Sequence, residues 1–161
     1  MTRALGAVLM VAAALVQVTW APRLAVFGAF PNLVLVLVVC ITWTQGQRAG
    51  LVWACIGGLL LDLTAPGPLG PHALALLCGA YVTGIWARNV DPNGIVQPAL
   101  AAAVTTALYS LVLVGVDDTL GLPVPQLTVA IQLAAAAAAY NSALVLPAFL
   151  VARRGQQQVP G

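Results

Sequence analysis

The sequence predicts an all-α integral membrane protein, a six-helix transmembrane bundle, on three observations. Its 161 residues are 61% hydrophobic, with a mean hydropathy of +1.00. Its charges are few: six basic residues, all Arg, and four acidic ones, all Asp. They are spaced so that the uncharged stretches 4–22, 24–47, 49–61, 63–87, 92–116 and 119–152 lie between them. A soluble domain of this length needs far more polar surface to cover its core. A spanning helix needs about 20 mostly apolar residues, fewer where the bilayer thins or the ends snorkel.

The first helix is expected at 5–20. Arg3 followed by "ALGAVLMVAAALV" has the charge and apolar core of a signal peptide, but no small-x-small cleavage site precedes Trp20 and Pro22, so a retained span is preferred. The second, 27–43, contains "LVLVLVVCITW". Such continuous apolar blocks exclude a transmembrane barrel, whose strands alternate polar and apolar positions. The third, 49–63, is short, at roughly 22 Å for 1.5 Å rise per residue. The fourth, 70–86, follows a Pro-Gly-rich loop; the fifth is 95–116, and the sixth, 124–151, is long enough to tilt. Residues 1–152 then form a single transmembrane domain, with 153–161, "RRGQQQVPG", as a frayed cytoplasmic tail.

An even number of spans places both termini on one side. That side collects Arg3, Arg48, Arg88, Arg153 and Arg154, while the other holds Arg23 with Asp62, Asp117 and Asp118. The Arg-rich side is cytoplasmic by the positive-inside bias, giving a multi-pass protein of the cytoplasmic membrane. Trp20, Trp43 and Trp86 fall near expected helix ends, where indole rings favour the interface.

Residues that would support catalysis are scarce. Cys40, Cys55 and Cys78 form no C-x-x-C pair and have no neighbouring His, so they read as small hydrophobes and no metal is expected. His72, the one histidine, stands after the loop without a Ser or Cys to activate. "GQRAG" and "GGLLLD" lack the Lys-Ser or Lys-Thr of a phosphate loop, and the few Arg give no nucleic-acid footprint. No enzyme and no cofactor are expected.

The helices offer packing surfaces instead. Gly46, Gly50, Gly57 and Gly58 leave the third helix with little side chain, and small residues let backbones approach closely in lipid. Ala54, Gly58 and Asp62, at i, i+4 and i+8, continue one stripe. Asp62 is costly both near hydrocarbon and near a helix C-terminus. Its expected partners are loop amides between Thr64 and Gly70, with Arg23 as the alternative. Residues 134–139, six alanines, are either good helix formers or a second close-approach face. Asn32 and Asn141 either join helices across the bundle or satisfy themselves on the backbone.

The stretch "PNLVLVLVVCITWTQGQRAGLVWACIGGLLLDLTAPGPLGPHAL" resembles the rod shape-determining MreD family. The family pattern is Pro-Asn or Pro-Asp opening an apolar helix, a Gly-containing turn, then Gly-Leu-x-x-Asp, a loop and another Gly. Pro31, Asn32, Gly46, Gly50, Gly57, Gly58, Asp62 and Gly70 match it, and Asn141 before Pro147 fits the last helix. The resemblance implies a fold similar to the six-helix substrate-binding subunits of energy-coupling-factor transporters. It also implies a non-catalytic subunit of the elongation machinery that controls lateral peptidoglycan synthesis. Its partner would be MreC and, through it, MreB and the RodA–transpeptidase synthase, with the glycine stripe either packing the chain's own helices or receiving MreC's membrane helix.

The competing class is a vitamin-binding transporter subunit, which needs a pocket of convergent polar groups. Asn32, Asp62, His72, Tyr81, Tyr109 and Asn141 are the candidates, and along the sequence they are sparse. A lipid-handling enzyme would need a catalytic pair that the sequence does not assemble.

Overall fold

A computed structural model describes residues 3–20, 23, 28–65, 67–90, 94 and 96–157. The described residues form six helices: α1 (Arg3–Thr19), α2 (Leu33–Gln45), α3 (Gln47–Thr64), α4 (Pro71–Asn89), α5 (Val96–Thr119) and α6 (Leu127–Gln157). Among the described residues there is no strand. By length and composition, Val96–Thr119 and Leu127–Arg154 are apolar enough to cross a membrane, whereas α2 and Gly6–Thr19 are shorter apolar helices.

The boundaries follow local chemistry. The second helix was expected from Phe27, which lies outside the described residues. The described helix begins at Leu33, because Gly28 adopts φ +80°, Pro31 restricts the residue before it, and Asn32 caps the helix. Asn32 Oδ1 accepts the Leu35 amide at 2.9 Å, the usual way a side chain satisfies an otherwise orphaned donor. Gly46, at φ +91°, separates α2 from α3, a left-handed conformation that costs a glycine little. Helix α6 runs on past the expected tail boundary, so Arg153 and Arg154 belong to its body; 158–161 lie outside the described residues.

α2 is the hub. It packs against each of the other five helices, and nine of its residues from Val34 to Trp43 are buried. Around it, α1 touches α3, α3 touches α4, α4 touches α5 and α5 touches α6, whereas among the described residues α1 and α6 make no contact. This accounts for an apolar helix of only 13 residues: its environment is side chains on nearly every face. Trp43, near the end of this hub as expected, is buried among its neighbours.

The contacts fix the directions. Gly50 meets Thr42 and Gly57 meets Val34, so α2 and α3 are antiparallel. Gly58 meets Ala73 while Gly84 meets Gln47, so α3 and α4 are antiparallel too. Trp86 Nε1 donates to Gln97 Oε1 near one end and Tyr109 bonds His72 near the other, setting α5 antiparallel to α4; Asn141 bonds Asn32 at the start of α2 while Pro147 and Val151 share a groove with Cys40 and Thr44 near its end, so α6 runs parallel to α2. Gly6 on Trp53 and Met10 on Gly57 run α1 parallel to α3. The start of α1, Arg48, Arg88 and the end of α6 therefore share one end of the bundle. The α3–α4 loop, Asp117, Asp118 and the start of α6 share the other, Arg-poor end.

Candidate functional site

Two features meet near the Arg-poor end: a carboxylate that grips a helix start, and a cavity beside it. Asp62, only 3% exposed, accepts the His72 amide on Oδ1 at 2.9 Å and the Ala73 amide on Oδ2 at 3.1 Å. These are first-turn amides of α4, whose own N-cap Gly70 (φ +119°) has no side chain to offer. The expected loop donors between Thr64 and Gly70 are replaced by donors just beyond them. A helix start concentrates unpaired N–H groups and partial positive charge, which loop amides do not. Arg23, the alternative partner, has its guanidinium carbon 5.9 Å from the Trp20 ring centroid.

Gly58, one turn before Asp62, lies against the backbone of Ala73 so closely that no side chain fits between them. The glycine admits the start of α4 and the carboxylate holds it. The rest of the stripe is occupied in the same way. A Cβ on Gly57 would stand 2.6 Å from Val34 Cγ1 and 2.8 Å from Met10 Sδ; Gly50 lies against Thr42, and Ala54 is fully buried. Of the two roles expected for these residues, packing the chain's own helices is the one their geometry performs. The space in which MreC's helix was expected is filled by α1, α2 and α4.

Beside the Asp62 clasp is a cavity of about 490 Å³, walled by residues from α1, α3, α4, α5 and α6 and from the segment before α2 that ends in its cap, Asn32. Its buried floor is a hydrogen-bonded cluster. Asn141, fully buried, accepts the Asn32 amide on Oδ1 at 2.8 Å and donates from Nδ2 to Thr106 Oγ1 at 3.1 Å; Thr106 in turn donates to the Ala102 carbonyl. Asn32 and Asn141 thus tie α2, α5 and α6 together. On the wall, the His72 and Tyr109 rings stack at 5.9 Å between centroids and 8° between planes, with 2.9 Å between the Tyr109 hydroxyl and His72 Nδ1. Gln17 Oε1 accepts the Val34 amide at 3.2 Å. Among the described residues, no Asp, Glu, Lys or Arg lines this cavity.

Four of the six sparse polar candidates, Asn32, His72, Tyr109 and Asn141, therefore meet in one place. Asp62 stands directly behind His72, and Tyr81 is 54% exposed elsewhere on α4. The sequence reading missed Gln17 and Thr106; their signal is weak, a lone amide in α1 and one of two adjacent threonines in the apolar run of α5. Pro147, inside α6, lines a smaller apolar groove against α1 and α2.

Comparison with curated proteins and with solved structures yields no match. The family model described as rod shape-determining protein MreD does match, over residues 2–152, from the start of α1 almost to the end of α6. The Gly58–Asp62 clasp and the Asn32–Asn141 tie both lie inside that span, and the chain that builds them belongs to the MreD family.

Proposed function

We propose that this protein is a non-catalytic membrane subunit of the bacterial cell-elongation complex, binding MreC and helping to regulate lateral peptidoglycan synthesis. Through MreC it would associate with MreB and the RodA–transpeptidase synthase. The observation that carries this reading is the family match across the whole bundle. The site chemistry supports it: the polar groups at the cavity are amides, hydroxyls and one imidazole, tied into hydrogen bonds that join helices. In this reading all six helices span the cytoplasmic membrane, in a fold similar to the substrate-binding subunits of energy-coupling-factor transporters. The end bearing Arg48, Arg88, Arg153 and Arg154 faces the cytoplasm with both termini. Depleting the protein from its own host is expected to turn rods into spheres within a few divisions. Unchanged rods after complete depletion would contradict the assignment.

One observation favours a second reading, a vitamin-binding transporter subunit: the convergence of Asn32, His72, Tyr109 and Asn141 on a cavity of a size suited to a small molecule. Saturable binding of a water-soluble vitamin to the purified protein would establish it.

A further inference from the structure

The cavity presents hydrogen-bond donors that the elongation role does not require, beside the hydroxyls of Thr64 and Ser110. Three of its polar side chains have their acceptor atoms consumed by the fold. Gln17 Oε1 takes the Val34 amide, Asn32 Oδ1 takes the Leu35 amide, and His72 Nδ1 faces the Tyr109 hydroxyl. Backbone amides can only donate, so the carboxamide oxygens of Gln17 and Asn32 must face them, and their nitrogens carry what is left. The Asn32 side chain also stands beside the Tyr109 hydroxyl. We assign the Tyr109 proton to Nδ1, the tautomer in which His72 carries its own proton on Nε2. The cavity thus offers N–H donors from α1, from the cap of α2 and from the start of α4, while the acceptor atoms of these side chains are each engaged by the fold.

The remaining surface is apolar. Leu61, Leu113, Val114, Leu133, Ala134 and Ala137 line the walls, and Val18 and Phe30 at the cavity are 44% and 49% exposed. Among the described residues no cation lines the site to offset an anion, and the Asp62 carboxylate sits immediately behind His72. Bringing an anionic group here would be costly, because a buried charge needs a paired counter-charge. A very polar vitamin would leave most of its own hydrogen-bonding groups unmet against these walls.

We propose that this cavity is a binding site for a neutral membrane amphiphile, a molecule with an apolar body and an uncharged oxygen acceptor, such as an ester carbonyl or hydroxyl, received by Gln17, Asn32 and His72. This site is separate from the elongation assignment, and its occupancy is read without reference to cell shape.

The test uses the full-length protein in lipid nanodiscs and a monoacylglycerol carrying a photoreactive diazirine in its chain. Labelling is expected to saturate and to map to peptides of α5 and α6. Unlabelled monoacylglycerol should compete at least about tenfold better than an alkane of equal chain length, a difference equivalent to ~1.4 kcal/mol. It should likewise outcompete the corresponding fatty acid at a pH where that is anionic. His72→Phe, which keeps the stacked ring and removes the donor, should weaken labelling about three- to tenfold, the worth of one hydrogen bond. Ala137→Phe should reduce it by filling the cavity, while Leu111→Phe, on an exposed face of α5, should leave it unchanged. Labelling that does not saturate, equal competition by the alkane, or stronger competition by the anion would each overturn the proposal. So would displacement only by a water-soluble vitamin or a partner peptide. The competition series needs no variant, so it decides the matter even if Ala137→Phe does not fold.

Discussion

Asp62 carries the sharpest consequence at the scale of single residues. Its two oxygens serve two amides of another helix, so removing them leaves two donors unmet at a buried helix start. Asp62→Ala is expected to lower stability by about 2–4 kcal/mol, combining lost capping with unpaired amides, and Asp62→Asn, which keeps one acceptor, by about half as much. Denaturation in mild detergent, following helical circular dichroism, measures both; equal losses would show that charge and not hydrogen-bond number holds α4. Asn141 is the second node, since one side chain both accepts from Asn32 and donates to Thr106. A double-mutant cycle between Asn141→Ala and Thr106→Val should give a coupling of about 0.5–1.5 kcal/mol, and additivity would deny that the two act as one network. Asp62, Asn32 and Asn141 stood out in the sequence because each is a polar group in an apolar run. Their pairing did not, because Asn32 and Asn141 are 109 positions apart and only the packing of α2 against α6 brings them together.

At the scale of helices, glycine positions separate close packing from backbone freedom. Gly58 faces the backbone of Ala73, which cannot yield as a flexible side chain can, so even Gly58→Ala must push α4 away from α3. The expected loss is about 1–3 kcal/mol, the usual cost of overpacking a tight contact, and Gly58→Leu should prevent folding. Gly46 behaves oppositely: nothing lies within 4 Å of its Cβ direction, yet its φ is +91°. Gly46→Ala is expected to cost about 1–2 kcal/mol through backbone strain alone. Thermal melts of both variants decide this, and a harmless Gly58→Ala would deny the close approach. The glycine stripe was legible from its spacing, as was the existence of all six helices. What it packs against was not, because spacing gives a face but not its neighbour. The start of α2 was also misplaced: continuous hydrophobicity extended the expected helix across Gly28 and Pro31, whose backbone requirements stop it.

For the whole molecule, the alternating helices sort charge between two ends, with Arg48, Arg88, Arg153 and Arg154 at one and Asp117 and Asp118 at the other. Single cysteines placed at Arg48 and Asp118, after the native cysteines are replaced by Ala, should react with a membrane-impermeant maleimide from opposite sides of intact cells. Equal labelling at both positions would contradict the six-span orientation. This charge pattern was visible in the sequence because it needs only a count of spans. The cavity was not visible there, because its lining comes from five helices and the segment before α2, and no local pattern records that convergence. The central claim, that this chain acts in the elongation complex by binding MreC, is tested most directly by affinity purification of the tagged full-length protein from its host's membranes. MreC is expected to co-purify in near-stoichiometric amount after mild solubilisation, and to be lost with the unfolded Gly58→Leu variant. Absence of MreC alongside a folded, cell-derived protein would contradict it.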